Sequence, residues 1–371
     1  MSKETYLPKA RVLVVNTANT GFNGITSVIR NYTEHTYHKY DFIFVFNGNV
    51  DESVKDIIKS KYGPVYIPPV SRLKNPILYT LWLKSIIAKE RISVIHVHGN
   101  SGTMFFDILA GWLGNVKIRI AHCHSTFCKF VFVHRLLKPA LNILITKAAA
   151  CSEVSGKWLF YGKYDVLNNG IDTSKFRFSE DTRQKYRKFL KLDNYKVIGH
   201  VGNFVDVKNH LFLIDVFYEV QKEQSDVKLL LIGDGVLREI IERRINQLGI
   251  NDKVILLGKR SDVADLYQAM DFFVLPSKFE GFPVTLVEAQ AAGLPCCVSD
   301  KVTKEVDITN TVKFISIENK NAIFQWAEYI KSFRYINDRN SNYDLVKGSI
   351  FDIESCCSKL DKLYGVNDVF K

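Results

Sequence analysis

The sequence predicts an α/β protein built on two doubly wound parallel sheets, and three observations predict it. Short β-branched runs alternate with helical patterns along most of the 371 residues, several of those runs are apolar without a break, and the alternation stops once near the middle before restarting. A strand covered by helices on both faces has no solvent side, so it lacks the polar alternation of a half-exposed strand. Helical connections between consecutive strands favour parallel pairing.

In the first half the expected strands are "RVLVVN" (11–16), "DFIFVF" (41–46), "PVYI" (64–67), "SVIHVH" (93–98), "KIRIAH" (117–122) and "AAACS" (148–152). In the second half they are "KVIGHVG" (196–202), "KLLLIG" (228–233), "KVILLG" (253–258), "DFFVLP" (271–276), "PCCVS" (295–299) and "KFISI" (313–317). The rhythm breaks at "VLNNGIDTSKFRF" (166–178), where Asn-Asn-Gly-Ile-Asp reads as a turn, and a charged helical stretch (180–191) precedes the next strand. This places domains at 1–172 and 173–371. The tail from about residue 319 reads as helical, either staying with the second domain or packing back on the first. Two such domains facing each other would form a cleft at the carboxyl ends of both sheets, where ligands of this architecture bind.

Composition narrows the class. A chain with 47% hydrophobic and 24% charged residues can bury sizeable cores. The start, "MSKETYLPKARVLVVNT", has an apolar run too short for a signal-peptide core, and no stretch approaches the roughly 20 apolar residues of a membrane span. The expected location is the cytoplasm, with a peripheral place on the inner face of the membrane left open. Seven cysteines, with vicinal pairs at Cys296-Cys297 and Cys356-Cys357 and no C-x-x-C, read as reduced thiols. The net charge of +11 is uneven: residues 1–172 hold 21 Lys plus Arg against 11 Asp plus Glu, whereas residues 173–371 hold 29 against 28. Between Asp107 and Glu153 there is no acidic residue, yet Lys117, Arg119, Lys129, Arg135, Lys138 and Lys147 lie there, so an anionic partner is expected at the first domain.

The stretch "PSKFEGFPVTLVEAQAAGLP" (276–295) carries two glutamates, Glu280 and Glu288, around a Gly-Phe-Pro break. It reads as a strand ending at Pro276, a loop with Glu280, and a helix entered near Pro283 that holds Glu288 about one turn in. The unpaired amides of Gly281 to Thr285 would then face the space before the helix, a site suited to a diphosphate, with Gly281, Phe282, Pro283 and Val284 expected to line it.

This spacing, followed by "AQAAGLP", resembles the E-x7-E motif of retaining GT-B glycosyltransferases of family 4. The resemblance implies a GT-B fold of two Rossmann-like domains, with the second glutamate, Glu288, holding the ribose of a nucleotide-sugar and the first, Glu280, contacting the transferred sugar. "GHVGNFVDVKNHLFLIDVF" (199–217) resembles the segment whose lysine, here Lys208, contacts the diphosphate. "LLLIGDG" (229–235) and "VILLGKRSDVADLYQAMDFFVLPS" (254–277) resemble the segments closing the nucleotide pocket, with backbone at Lys259 and Arg260 near the base. Where the family commonly has arginine five residues before the lysine, this chain has Asn203, which cannot supply a guanidinium fork. Diphosphate binding then rests more on Lys208 and helix amides.

The first half matches more loosely. "NTGFNGITSVIRN" (19–31) resembles the glycine loop that packs against donor phosphate and acceptor, with Gly21, Asn23 and Gly24 in it. "NNGID" (168–172) resembles the interdomain turn, and "RIAHCHST" (119–126) the strand end with an active-site histidine. Alternation puts His122 and His124 on one face with Cys123 on the other; His124 is the expected active-site residue, and His122 is set on the acceptor side. His96 and His98 form a second strand-end pair. Paired strand-end histidines are more often structural than catalytic, and His98 and His122 also fit that plainer reading. Cys123 with His122, His124 and Cys128 is a poor zinc site because its members alternate in face. "GDG" (233–235) can be a plain turn, and Cys296-Cys297 a core segment.

The implied function is retaining, metal-independent transfer of a hexose or N-acetylhexosamine from a nucleoside diphosphate sugar, with UDP preferred, to a glycan or polyprenyl-diphosphate-linked acceptor. The overall likeness is to bacterial enzymes of capsular and exopolysaccharide assembly. No Asp-x-Asp triplet occurs, in keeping with protein cations and no metal or other cofactor. A non-catalytic carbohydrate-binding relative, favoured by Asn203, and a nucleotide-sugar epimerase are the alternatives. Nucleic acid is not expected, because no reading module accompanies the pI of about 9.1.

Overall fold

A computed structural model describes residues 9–21, 24–280, 282–333 and 338–365. The chain divides into two compact units, one holding the described residues up to Gly170 together with those from Ile353 onward, the other Ile171–Asp352.

The first unit is a seven-stranded parallel sheet. Its strands are β1 (Ala10–Asn16), β2 (Tyr40–Phe46), β3 (Val65–Tyr66), β4 (Val94–Gly99), β5 (Ile118–Cys123), β6 (Lys147–Ala150) and β7 (Asp165–Val166), in the order β3-β2-β1-β4-β5-β6-β7. The unbroken apolar runs follow from double coverage. Along β1, Val12 and Val14 enter one cluster with Phe42, Phe44, Ile118 and Ile120, while Leu13 and Val15 enter another with Ile43, Ile95, Val97 and Cys123. The helix Ile353–Tyr364 closes the first of these clusters with Leu360, Leu363 and Tyr364. Its Asp361 accepts a 2.7 Å bond from Tyr40, and its Lys359 reaches the Val166 carbonyl. The helices Ala322–Ser332 and Asn340–Lys347 belong to the second unit.

The second unit is a six-stranded parallel sheet of β8 (Lys196–Val201), β9 (Val227–Ile232), β10 (Val254–Gly258), β11 (Phe272–Leu275), β12 (Cys296–Ser299) and β13 (Val312–Ile315), ordered β10-β9-β8-β11-β12-β13. Cys296 and Cys297 point to opposite faces, one into each core cluster, so vicinal position brings burial and no pairing. The helix Glu180–Phe189, capped by Ser179, is fixed at the start of the sheet by Arg183 and Arg187, which both bond the buried Asp271. That carboxylate also accepts the Val197 amide at 2.8 Å. Three hydrogen-bond donors thus satisfy one buried charge and tie the helix to the sheet.

The first unit ends at Gly170, where the expected turn lies. Tyr32 donates to the Asn168 carbonyl and Asn31 to that of Gly170, and on the other side of the crossing Ile171 pairs with Phe351. β7 has no counterpart among the expected strands.

Candidate active site

In the second unit the site is assembled from the ends of β8, β9 and β11. After β8 the chain runs through Gly202 and the exposed Asn203 into a tight turn, Asp206–Lys208, that ends at Asn209 in the left-handed conformation (φ 58°). Asparagine tolerates that conformation better than other side chains. The Asn209 amide donates to the Pro276 carbonyl at 3.2 Å, and the Lys278 backbone N–H to Val207 O at 2.8 Å, so the loops after β8 and β11 are tied together. The loop after β9 lies against the same turn: Phe204 N–H bonds Asp234 O, and a Cβ at Gly233 (φ 141°) would run into the Gly202 carbonyl. The weak "GDG" signal therefore has a packing cause.

These ties bring Lys208 to Glu280. The ammonium lies 2.5 Å from Oε1, and the buried Ser277 hydroxyl donates to the same oxygen at 2.8 Å. Two donors on Oε1 fix the carboxylate and leave Oε2 for another donor. The helix Val284–Ala291 follows, with Pro283 as its N-cap. Of the amides expected to be open, Val284 N–H already bonds Phe282 O and Pro283 has none to give; Gly281 lies outside the described residues. Glu288 sits one turn into this helix, where the Tyr267 hydroxyl reaches its Oε2 at 3.1 Å and Thr285 O at 3.0 Å. Burial pushes the Glu288 carboxyl up to about 7, against the opposing effect of the Tyr267 bond. The Thr285 hydroxyl oxygen beside it is buried and bonds no described residue.

In the first unit the ends of β4 and β5 carry His96, His98, His122 and His124 on one face, while Cys123 joins the core cluster opposite. His124 is held by its backbone: its N–H bonds Gly99 O at 3.1 Å and its carbonyl accepts the Cys151 thiol at 3.3 Å. Its ring Nε2 lies 2.9 Å from His98 Nδ1, and burial lowers its pKa to about 3. The structure buries His122 completely, beneath His124 and against His96, so it presents no surface to an acceptor.

A model of the family "Glycosyl transferases group 1" matches residues 181–346, the span that holds Lys208, Glu280 and Glu288. EpsF of Bacillus subtilis (strain 168), which carries a provisional glycosyltransferase name, is 32% identical over 336 residues and covers 86% of each chain. The chain is a group 1 glycosyltransferase. This glycosyltransferase is also 26% identical over 277 residues to an Escherichia coli enzyme named UDP-Gal:alpha-D-GlcNAc-diphosphoundecaprenol alpha-1,3-galactosyltransferase, covering 68% of this chain and 69% of that one. Its fold is GT-B. Anabaena HepE, solved with UDP and glucose, superposes at a TM-score of 0.77 over 96% of this chain and all of that one, at 17% identity.

The glycosyltransferase's remaining expected residues are more peripheral. Arg260 is exposed and its guanidinium forms a two-pronged pair with Asp262, at 2.8 and 2.6 Å. Asn203 bonds nothing through its side chain among the described residues. The Phe282 ring packs against that of Phe351 at a tilt of 35°, with 4.9 Å between ring centres, which anchors the loop before the helix. Gly21 and Gly24 are not demanded by protein packing: a Cβ at Gly24 would touch nothing and one at Gly21 only Asp51. Asn23 lies outside the described residues. Two contributors were missed from sequence, Ser277 and Tyr267. The first has a local signal, a small hydroxyl residue directly after the strand-ending Pro276; the second touches Glu288 across 21 residues and has none.

Proposed function

We propose that this glycosyltransferase moves a hexose or N-acetylhexosamine from a nucleoside diphosphate sugar, first of all a UDP-sugar, to a glycan or polyprenyl-diphosphate-linked glycan in capsular or exopolysaccharide assembly. Transfer proceeds with retention and without a metal ion. The observation that carries this reading is the Glu280 carboxylate, held through one oxygen by Lys208 and Ser277 and followed after a proline break by Glu288.

The chemistry assigns each group a task. As the bond from sugar C1 to phosphate oxygen breaks, negative charge collects on the departing diphosphate and positive charge on the sugar ring. Lys208 faces the first and the free oxygen of Glu280 the second. The acceptor hydroxyl attacks C1 on the face the diphosphate leaves, and its proton passes to the phosphate oxygen released there. Glu288, as a carboxylate, accepts the ribose hydroxyls. With Asn203 in place of an arginine, Lys208 carries the diphosphate without a guanidinium beside it. His124, at the end of β5, is assigned an active-site role as well. The names of relatives support the donor and acceptor classes: the Escherichia coli enzyme is named for UDP-galactose and a diphosphoundecaprenol acceptor, and a Campylobacter jejuni relative for a diphospho-undecaprenol acceptor.

The basic first unit also offers a surface for a lipid-linked acceptor. On and before the helix Val131–Leu144, Phe127, Phe132, Leu136 and Ile143 are 66–80% exposed among the exposed Lys129 and Arg135, and the helix buries only His134 and Leu141. Aromatic and cationic side chains interleaved in this way suit a peripheral contact with an anionic membrane. No described helix is long and apolar enough to cross one.

Transfer assays with UDP-, GDP- and TDP-sugars, with and without chelator, test the reading. Turnover is expected with one nucleotide and unchanged by chelator. Full transfer by a Lys208→Ala/Glu280→Ala double variant would falsify the site assignment.

A further inference from the structure

Beyond His124 itself, the strand ends of the first unit carry a feature that the transfer reaction has not absorbed: four buried imidazoles arranged two by two. Parallel pairing of β4 with β5 sets His98 opposite His122 and Gly99 opposite Cys123, so alternation stacks His96 on His98 and His122 on His124, each pair with ring centres 4.1 Å apart. Across the strands the rings are nearly coplanar. His96 and His122 lie 9° apart in plane with 3.3 Å between Nε2 and Nδ1, and His98 and His124 lie 22° apart with 2.9 Å between Nδ1 and Nε2. A 5.2 Å separation of the His98 and His124 ring centres with 2.9 Å between nitrogens requires those nitrogens to point at each other.

That direction decides between two chemistries. Nitrogens of His96, His98 and His122 come within 4.8 Å of one another, close enough for a metal ion. A metal needs lone pairs that converge on one point. Here His96 Nε2 points along the pair with His122 and His98 Nδ1 along the pair with His124, so those nitrogens are committed to hydrogen bonds, while His122 Nε2 is buried and bonds no described residue. In each pair of neutral rings one nitrogen donates and the other accepts, and a neutral imidazole that donates at one nitrogen accepts at the other. The proton between His98 and His124 therefore decides what the second nitrogen of His124 offers. That nitrogen, Nδ1, is buried and bonds no described residue. The row beneath is anchored by Tyr364, whose hydroxyl meets His96 Nδ1 at 3.0 Å.

We propose that His98 is a positioning residue: through its Nδ1 it holds the His124 ring in one orientation and one tautomer, and so fixes whether Nδ1 of His124 is a donor or an acceptor. The inference rests on the reading of His124 as an active-site residue.

Long-range nitrogen–proton spectra of the full chain with labelled histidine give the direct test, since the two ring nitrogens of a fixed tautomer resonate far apart. In the unaltered protein His124 is expected as a single tautomer, and in His98→Phe as a mixture, with kcat down roughly a hundredfold and donor KM unchanged. His98→Gln, which keeps a hydrogen-bonding group, should recover part of kcat. Averaged His124 resonances in the unaltered protein would overturn the proposal whether or not His98→Phe folds. So would normal kcat in a folded His98→Phe, or one equivalent of zinc bound with loss of the ring pairing. Normal transfer by His124→Ala removes the reading of His124 instead, while the spectra still report whether His98 holds the ring.

Discussion

The strand ends of the two units carry opposite kinds of polar chemistry. In the second unit a lysine and a carboxylate face each other at 2.5 Å, and a second carboxyl stands at about 7. In the first, four imidazoles are driven neutral by burial and bond largely one another. The excess charge of the chain runs the other way, for it is the first half that is basic. Net charge therefore marks the outer surface, at Lys129 and Arg135, and says little about where charge is used in the reaction.

The largest expected effects break the charged half. Glu288→Ala should abolish the thermal shift produced by the donor nucleotide. Lys208→Ala should lower kcat a hundredfold to a thousandfold, the roughly 3–4 kcal/mol of one positioned donor. Ser277→Ala, which leaves Glu280 held by Lys208 alone, should cost about 1.5–3 kcal/mol in kcat/KM, as loss of a hydrogen bond to a charged group does. A Ser277→Ala enzyme with unaltered kcat/KM would show that Lys208 suffices.

A smaller effect is graded by pH. Donor binding needs Glu288 as a carboxylate, so affinity should be full above about pH 7 and fall as the group takes up its proton below that, by up to about tenfold per unit. In stability the sign reverses. The folded state holds this proton more tightly than the unfolded chain, so stability declines as pH rises from the ordinary carboxyl range through about 7. Glu288→Gln should accordingly melt higher than the unaltered protein at pH 8, a gain that vanishes at acidic pH, while losing the donor. An equal melting point at pH 8 would mean that the carboxyl is not raised. The smallest effect on catalysis belongs to the outer surface. A Phe127→Ser/Phe132→Ser variant should lose binding to phosphatidylglycerol vesicles yet turn over a soluble acceptor at the normal rate.

Much of this was legible in the sequence because double coverage writes itself into runs such as "RVLVVN" and "KLLLIG", and because a strand, a proline and a helix fix where Glu280 and Glu288 stand along the chain. What could not be read is whatever depends on register or on contacts between distant loops. Lys208 and Glu280 were each visible, but their bond spans 72 residues. His98 looked structural because only the pairing of β4 with β5 sets it against His124. His122, expected toward an acceptor, is buried because the same register places it behind the end of the strand. The amides from Gly281 to Thr285 were expected to be open, and the turn from Phe282 to Val284 uses that of Val284.

The helix Ile353–Tyr364 has a consequence for how the molecule is made. It closes a core whose first strand begins at Ala10, and its Tyr364 anchors the imidazole row of His96 and His122. The core of the first unit therefore cannot be completed until the ribosome has made the residues that follow the second unit.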